Sequence, residues 1–347
     1  MKTYGIYIGR FQPLHNAHEA VIHRALKEVD ELIIVLGSAS QARTIKNPWS
    51  SGERKAMVCS VLSDEEANRT HFVEAKDYYY NNNMWLTTIQ RMVYSIINRD
   101  NTECNVKLFG HKKDNSTFYL NLFPQWEFVE TGEYQIEGLS ATKVRDLYFD
   151  CNLISIKNVV PPEIANYLQR SMMNGMDLTI EFKRLKDEYD FIVDYKKQWA
   201  NTPYPVLFAT TDAVVIKSGH VLLVRRAGQP GRGLLALPGG FIDPNERIRN
   251  ACIRELKEET KISLNKDDLN VRVVDEKVFD HPERSLRGRT ISHAYCIDLG
   301  QGNLPDVKGC SVETKGAFWM PLRDVFASEE QFFEDHYHII LHFVNKF

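Results

Sequence analysis

The chain has 347 residues, of which 43% are hydrophobic and 26% are charged, and its formal net charge is −3. This length suits two folded domains, and this composition is that of a globular protein with hydrophobic cores. A charge close to zero argues against a general nucleic-acid or membrane-surface binder, since such proteins are usually basic.

The six cysteines lie far apart and form no Cys-x-x-Cys pair. This pattern indicates reduced thiols rather than disulfides or a zinc site. The first residues show no signal-type apolar run, and no window holds about 18 consecutive apolar residues. We therefore expect a cytoplasmic protein.

The first half of the chain alternates short strands with amphipathic helices. The strands are predicted at TYGIYI, ELIIVL, HFVEA, VKLFG and WEFVE, and the helices near 17–28, 52–62, 84–97, 115–122 and 141–149. This alternation predicts βαβ units and a parallel sheet. Because ligands bind at the carboxyl ends of strands in such sheets, the stretch GRFQPLHNAH after the first strand lies where a ligand is expected.

The pattern changes around Pro161 and Pro162, which mark a break in the regular structure. A polar helical run, EFKRLKDEYDFIVDYKKQWA, follows them. We interpret this run as a helix that connects two domains. The predicted domains are 1–172 and 203–347, with 173–202 between them. In the second half, two strands meet in a hairpin at Ser218-Gly219. Further elements are predicted as a helix near 247–261, strands near 271–279, 290–299 and 317–320, and a helix near 328–343.

GRFQPLHNAH places an arginine and two histidines where a strand passes into a helix. A helix N-terminus exposes unpaired N–H groups and a partial positive charge, so it attracts phosphate. His15 and His18 can lie on one side of the first turn and donate to phosphate oxygens, and Arg10 can bind phosphate in two places. The alternative is a pair of surface histidines, or a metal pair.

A second stretch, GLSATKVRDLY, supplies Ser140, Thr142 and Arg145. Ser140 can cap a helix whose first turn faces a phosphate, and Arg145 would project from the next turn. The alternative is an ordinary capped helix with a surface arginine. The two stretches bracket the first domain, as expected if one site uses both ends of a parallel sheet.

GRFQPLHNAH resembles the signature of the HxGH nucleotidyltransferase superfamily, and SATKVR resembles its C-terminal partner, SxTxxR. GRFQP with NPWSSGER is similar to the archaeal-type nicotinamide-nucleotide adenylyltransferases, although Ala17 stands where the signature has glycine. This resemblance implies a Rossmann-like domain that joins nicotinamide mononucleotide (NMN) to the AMP part of ATP. The products would be NAD and pyrophosphate, formed by direct in-line attack.

The same resemblance implies roles for individual residues. His15 and His18 would hold ATP phosphates and Arg145 would neutralise the departing pyrophosphate, with Mg²⁺, or Mn²⁺ as the alternative, bridging ATP oxygens. Trp85 would stack on the nicotinamide ring, and core packing is its alternative role. The predicted ATP and NMN contacts are Gly9, Arg10, Arg54, Asn83, Trp85, Gly110, Ser140 and Thr142.

A second constellation lies in GGFIDPNERIRNACIRELKEETKI. Glu255, Glu258 and Glu259 have the spacing that places three carboxylates on one helix face, where like charges repel each other. A divalent cation that faces a diphosphate would explain this arrangement. A solvated acidic face is the alternative, but it leaves the preceding Gly240 loop unexplained.

This stretch resembles the Nudix box, with Lys261 where the family has glycine. The positions that match in register are Gly240, Glu246, Arg254, Glu255, Leu256, Glu258, Glu259 and Ile262. The resemblance implies an α/β/α sandwich that hydrolyses a nucleoside diphosphate linked to another moiety. Metal held by the three glutamates would activate water, and Arg254 would orient a glutamate.

The segment FDHPERSLRGRT is similar to one in ADP-ribose pyrophosphatases, which implies hydrolysis of ADP-ribose to AMP and ribose 5-phosphate. Its arginines, Arg284, Arg287 and Arg289, would bind diphosphate or ribose, or else lie on a solvated loop. Glu313 is a candidate general base, with a surface carboxylate as the alternative.

The two motifs in this order resemble the bifunctional NMN adenylyltransferase/Nudix hydrolases. The implied partners are ATP, NMN, NAD and ADP-ribose, with neither nucleic acid nor membrane, and related proteins form homo-oligomers. Two alternatives stay open: nicotinate mononucleotide as the acceptor, and a Nudix half that senses ADP-ribose or NAD without turnover. A DNA-binding regulator is disfavoured because no basic recognition helix is evident.

Overall fold

The computed structural model describes residues 1–98, 103–112, 115–134, 136–309 and 314–344. These residues form two compact units, Met1–Lys186 and Asp187–Phe347. The division falls within a helix, Ile180–Lys197, which lies where the connecting helix is predicted. Within the described ranges, no helix is both long enough and apolar enough to cross a membrane.

The first unit is built on a five-stranded parallel sheet, as predicted. Its strands are β1 (Lys2–Gly9), β2 (Glu31–Leu36), β3 (Thr70–Glu74), β4 (Cys104–Gly110) and β5 (Glu127–Glu130). Its helices are α1 (Asn16–Glu28), α2 (Ser51–Cys59), α3 (Asp64–Asn68), α4 (Asn82–Ile97), α5 (Ala141–Phe149), α6 (Leu153–Ile156) and α7 (Pro162–Met172). The predicted helix near 115–122 is a 3₁₀ helix, Asn115–Asn121.

The strand order β3-β2-β1-β4-β5 places the first site. The chain builds outward from β1 to β2 and β3 and then crosses back to place β4 on the other side of β1. The connections leave β1 and β4 in opposite directions, so a crevice opens at their carboxyl ends, the usual ligand position in such sheets. Gly9 ends β1 and Gly110 ends β4, so both lie at this crevice.

A short antiparallel pair, β6 (Met173–Asn174) and β7 (Asp177–Leu178), precedes the long helix α8 (Ile180–Lys197). The second unit then contains a seven-stranded mixed sheet. Its strands are β8 (Leu207–Lys217), β9 (His220–Arg226), β10 (Leu235–Ala236), β11 (Gly239–Phe241), β12 (Val273–Phe279), β13 (Arg289–Asp298) and β14 (Thr314–Pro321). Its helices are α9 (Ile248–Thr260), α10 (Lys266–Asn270), α11 (Leu322–Phe326) and α12 (His336–Val344).

The order of this sheet is β10-β9-β8-β13-β12, with β11 also paired to β8 and β14 to β9. The predicted hairpin is present, and Ser218 and Gly219 both have positive φ, as a tight two-residue turn requires. The last helix begins at His336, later than predicted, because Glu329–Gln331 form a 3₁₀ turn and the backbone bends at Glu334.

Strand β8 is buried on both faces. Ala213 and Val215 pack with Cys252 and Leu256 of α9, while Val214, which points the other way, is equally buried. Helix α12 also packs against β8. Helices α9 and α12 therefore both cover the sheet at β8. The apolar side of α9, the helix that carries the acidic motif, packs on the sheet.

Candidate active sites

His15 and His18 lie against each other at the carboxyl end of β1. His15 is the N-cap residue of α1, and His18 follows one turn later. Their rings are stacked, with centroids 3.6 Å apart and planes 15° apart. The ring of Phe11 also contacts His18, with centroids 4.9 Å apart in an edge-type arrangement. The predicted placement of both imidazoles on one side of the first turn is what the structure shows.

Both imidazoles are neutral at pH 7. Burial lowers the pKa of His15 to about 4, and burial together with the neighbouring His15 lowers the pKa of His18 well below its usual range. The Nδ1 atoms of both rings are buried without a hydrogen-bond partner in the described parts of the chain. A buried polar atom left unpaired is costly, so this pair is arranged to bind something polar.

Two buried side chains fix the loop between β1 and α1. The amide of Gln12 donates to the carbonyl of Trp49 at 2.8 Å and accepts from its N–H at 3.1 Å. Arg145 of α5 donates to the carbonyl of Gln12 at 2.7 Å and to the hydroxyl of Thr142 at 3.0 Å. The two sequence stretches that bracket this unit therefore meet at Gln12.

The predicted cap of α5 is present, since Ser140 accepts a hydrogen bond from the N–H of Lys143 at 3.2 Å. Arg10 at the end of β1 is exposed, and its guanidinium has no hydrogen-bond or ion-pair partner within the described ranges. Gly9 is required by close packing, because a Cβ there would lie 2.9 Å from the ring of Phe11. This end of β1 thus presents an exposed cation beside two imidazoles of fixed geometry.

In the second unit, Arg254 of α9 binds three glutamates. Its guanidinium donates to Glu246 at 2.6 Å, to Glu255 at 2.8 Å and to Glu258 at 3.1 Å. It also donates to the carbonyl of Phe241 at 3.2 Å. These charge-assisted bonds raise the pKa of Arg254, and the bond to Arg254 lowers the pKa of Glu246. Arg254 therefore ties the loop before α9 to the acidic face of the helix.

Glu255 and Glu259 both lie against the glycine loop that precedes α9. The N–H of Gly239 donates to Glu259 at 3.0 Å, and a Cβ on Gly240 would lie 2.7 Å from the carboxyl of Glu255. Glu255 and Glu259 are both buried, whereas Glu258 is exposed. The glycines let the backbone approach the carboxylates as closely as a cation site needs.

The pair Glu255 and Glu259 fits a divalent cation. Both present hard oxygen donors one helical turn apart, and Mg²⁺ and Mn²⁺ usually complete such sets with water and substrate phosphate. The predicted trio with Glu258 does not converge. In the ranges that the structure describes, no three His, Cys, Asp or Glu side chains form a metal-binding group, and Glu258 is exposed and bound to Arg254.

A narrow cleft opens beside Glu259, and Gly239, Gly240 and Phe241 form one of its walls. Glu334 and His336, at the start of α12, also line it. Further lining residues include Thr210, Asp212, Arg226, Arg284, Arg287, Thr314 and Phe333. Three arginines in one cleft favour an anionic ligand such as a diphosphate.

A buried polar network supports this cleft. Arg284 makes a two-pronged ion pair with Asp335, at 2.9 and 2.8 Å. His336 accepts from the N–H of Leu237 at 2.9 Å, and burial lowers its pKa to about 3. Because burial outweighs the nearby Arg284, the pKa of Asp212 is raised. The network holds the loop that carries Gly239 in place.

The comparisons with known proteins divide the chain in the same way. The family model described as cytidylyltransferase-like matches residues 6–147, and the NUDIX domain model matches residues 207–343. The chain is 42% identical over 151 residues to a nicotinamide/nicotinic acid mononucleotide adenylyltransferase of Acinetobacter baylyi, covering 44% of this chain and 78% of that protein. It is 30% identical over 166 residues to a nicotinamide-nucleotide adenylyltransferase of Methanospirillum hungatei, covering 47% of this chain and 86% of that protein.

One solved structure spans both units. The crystal structure of a bifunctional NMN adenylyltransferase/ADP ribose pyrophosphatase from Francisella tularensis, complexed with AMP and a manganese ion, matches with a TM-score of 0.89 and 30% identity. The match covers 100% of this chain and 99% of that one. The chain belongs to the bifunctional NMN adenylyltransferase/ADP-ribose pyrophosphatase family. It is an enzyme with a nucleotidyltransferase half and a Nudix hydrolase half, as predicted.

Within this bifunctional family fold, Arg54 has a different role from the one predicted. Its guanidinium is buried and donates to the carbonyls of Arg10 at 2.6 Å, Gly37 at 2.7 Å and Ser38 at 3.4 Å. These carbonyls lie just beyond the ends of β1 and β2. We therefore assign to Arg54 the positioning of the two strand ends, in place of the predicted phosphate contact.

Three of the predicted ATP and NMN contacts, Trp85, Asn83 and Gly110, have different surroundings. Trp85 packs edge-on against Tyr119, with ring centroids 5.8 Å apart, and against the apolar core that includes Ile89 and Val93. This packing is the alternative role considered for Trp85. Asn83 is exposed on α4. Gly110 is close-packed, since a Cβ there would lie 2.7 Å from Leu120.

In the hydrolase half, two of the three predicted arginines, Arg284 and Arg287, line the cleft. Arg284 is neutralised by Asp335 inside the network, and Arg289 donates to the carbonyl of Asp280 at 2.5 Å. Arg287 lines the cleft and lies over the ring of Phe241. Glu313 lies outside the described residues.

Sequence reasoning missed several residues of both sites. Gln12 lies within the recognised GRFQP stretch, and its partner Trp49 lies within NPWSSGER, so the two motifs gave a signal for both. Arg226, which stacks over Phe333 at 4.0 Å, and Glu334 belong to no motif. Arg226 is the last residue of β9, and Glu334 lies at the bend just before α12. No local sequence pattern predicts that these two places meet at one cleft.

Proposed function

We propose that the first unit transfers the AMP part of ATP to NMN, giving NAD and pyrophosphate, and that the second hydrolyses ADP-ribose to AMP and ribose 5-phosphate. The observation that carries the first assignment is the stacked pair His15 and His18, with both Nδ1 atoms unpaired at the carboxyl end of β1. The second assignment is supported by Glu255 and Glu259 held beside an arginine-lined cleft.

In the adenylyl transfer, a phosphate oxygen of NMN attacks the α-phosphorus of ATP, and the bond from that phosphorus to the β-phosphate oxygen breaks. No protein nucleophile is needed, so catalysis depends on alignment and on charge stabilisation. His15 and His18, being neutral, each donate one N–H to phosphate oxygens. Arg10 supplies positive charge to the leaving pyrophosphate, while Arg145 holds the Gln12 loop and helps to orient the phosphates.

In the hydrolysis, Glu255 and Glu259 would hold Mg²⁺ or Mn²⁺. The bound cation would lower the pKa of its water and offset charge on the diphosphate. Arg254 fixes the orientation of Glu255, and the N–H of Gly239 fixes that of Glu259. Arg287, which lies over the ring of Phe241, contributes a cation to the same cleft. The orientation of both carboxylates favours turnover over a role as a sensor.

A second acceptor for the transfer reaction is nicotinate mononucleotide. The name of the Acinetobacter relative includes both nicotinamide mononucleotide and nicotinic acid mononucleotide. We propose NMN as the preferred acceptor and expect nicotinate mononucleotide to be used more slowly. Relative kcat/KM values for the two mononucleotides at saturating ATP would decide the order.

The two activities can be tested in one crossed experiment. Full-length wild type, His18→Asn and Glu259→Gln would each be assayed for NAD formation from NMN and ATP, and for AMP release from ADP-ribose, both with Mg²⁺. We expect His18→Asn to lose NAD formation alone and Glu259→Gln to lose AMP release alone. His23→Asn is the matched control in α1, since His23 pairs with Glu66 at 2.8 Å instead of His15. Wild-type protein that makes NAD but no AMP would refute the hydrolase assignment.

A further inference from the structure

Glu334 has an unusual backbone for its residue type. Its φ is +47°, in the left-handed region that glycine adopts without strain and other residues adopt only at an energetic cost. Its side chain is only 6% exposed and lines the hydrolase cleft together with Glu259 and Gly240. Burial raises the pKa of this carboxyl. A strained, buried carboxylate in a cleft needs a functional explanation.

Glu334 contacts Arg287 both directly and through Ser285. The hydroxyl of Ser285 donates to one carboxylate oxygen of Glu334 at 2.6 Å, and the other oxygen lies 3.8 Å from the guanidinium of Arg287. Arg287 in turn donates to the hydroxyl of Ser285 at 3.4 Å. The guanidinium of Arg287 lies over the ring of Phe241 at 5.2 Å. Arg287 is therefore held by a carboxylate, a hydroxyl and an aromatic face.

The next two residues, Asp335 and His336, make contacts within the buried network, whereas Glu334 contacts Ser285 and Arg287. Asp335 is fully buried and neutralises Arg284, and His336 accepts from the N–H of Leu237. The left-handed bend at Glu334 turns its side chain toward the cleft while Asp335 points into the network. Arg287 is less closely neutralised than Arg284, because its ion pair at 3.8 Å is longer than that of Arg284 at 2.8 Å.

We propose that Glu334 is a positioning residue of the hydrolase site: it holds the Arg287 guanidinium against Phe241, in the orientation in which Arg287 binds the diphosphate of the substrate. The proposal rests on the proposed function, in that the diphosphate of ADP-ribose occupies this cleft. Phe241, Arg287 and Glu259 all line this cleft, so an arginine fixed on Phe241 shares the cleft with a cation-binding carboxylate. A guanidinium fixed beforehand loses less conformational freedom when it binds.

The test is a double-mutant cycle on the full-length protein with ADP-ribose and Mg²⁺. Wild type, Glu334→Gln, Arg287→Ala and the double variant would be compared by kcat and KM for AMP release, and by calorimetric Kd for ADP-ribose, which does not need turnover. We expect Glu334→Gln to raise KM and Kd roughly tenfold with kcat within about twofold, since an orienting contact is lost. In the Arg287→Ala background the same change should have no further effect. Glu330→Gln, at an exposed position, is the control.

A third variant separates positioning from a purely structural role. Glu334→Gly removes the carboxylate and relieves the left-handed strain, so we expect KM to rise as in Glu334→Gln while the unfolding temperature does not fall. Unchanged KM and Kd in Glu334→Gln, or equal effects with and without Arg287, would overturn the proposal. Absent hydrolysis by wild type would instead reject the proposed function, and the Kd cycle would still decide whether Glu334 acts through Arg287.

Discussion

Gln12 and Trp49, which are 37 residues apart, are joined by two hydrogen bonds between the Gln12 amide and the Trp49 backbone. All four groups are buried, and Arg145 donates to the carbonyl of the same Gln12. The loop that carries His15 is therefore anchored to two other parts of the first unit, which explains how two neutral imidazoles keep a fixed stacked geometry.

Gln12→Ala should destabilise the first unit and slow NAD formation. It leaves the N–H and carbonyl of Trp49 buried without partners, which costs roughly 2–3 kcal/mol, and it frees the His15 loop. The measurement is calorimetric unfolding together with kcat/KM for NMN. Gln169→Ala, at an exposed position of α7, is the control and should change neither. Normal stability of Gln12→Ala would contradict this account of the loop.

The first unit should lose stability as the pH falls from about 6.5 to 4. His15 has a folded-state pKa of about 4 against an ordinary value of 6.5, so the unfolded chain binds the proton first in this range. Folding then excludes a proton, and the free energy of unfolding falls by up to about 3 kcal/mol for this residue. His18, whose pKa is lowered in the same direction, adds to the effect.

The check is the unfolding temperature of the first unit measured across this pH range. His15→Asn removes one of the titrating groups, so its curve should be shallower than that of wild type. His220→Asn, in the second unit, should leave the slope for the first unit unchanged. A curve for His15→Asn that runs parallel to the wild-type curve would show that burial of this imidazole is not responsible.

Glu258 and Glu259 should contribute unequally to ADP-ribose hydrolysis. Glu259 is buried and held by the N–H of Gly239, whereas Glu258 is exposed and bound to Arg254. We expect Glu259→Gln to lower kcat roughly 100-fold or more, as loss of a metal-orienting carboxylate does, and Glu258→Gln to lower it by less than about tenfold. AMP release at several Mg²⁺ concentrations would measure both. Equal losses would restore the three-carboxylate site predicted from the sequence.

Lys261→Gly should stabilise the second unit. Lys261 ends α9 with a φ of +49° and a ψ of 30°, a conformation in which glycine avoids a penalty of about 1 kcal/mol. The unfolding temperature of this unit should rise by about 2–4 °C. Lys266→Gly, within the right-handed turn of α10, is the opposing control and should not raise it. A fall in Lys261→Gly would mean that the lysine side chain itself contributes to the helix end.

The sequence by itself determined much of this protein. Apolar runs such as ELIIVL became buried strands, because a continuous apolar run can be satisfied only inside a sheet covered on both faces. The spacing of His15 and His18, and of Glu255 and Glu259, placed each pair on one helix face, because helical geometry fixes which neighbours share a side. Properties set by spacing along the chain could therefore be predicted, together with the family that the motifs resemble.

Only the tertiary structure decided which charged groups are available to a ligand. Arg54 is bound by carbonyls at Arg10, Gly37 and Ser38, and Arg284 is neutralised by Asp335, 51 residues away. An arginine in a motif looks the same in sequence whether its partner is a phosphate or its own chain. The partner is set by contacts between distant segments, and these contacts exist only once both segments have folded against each other.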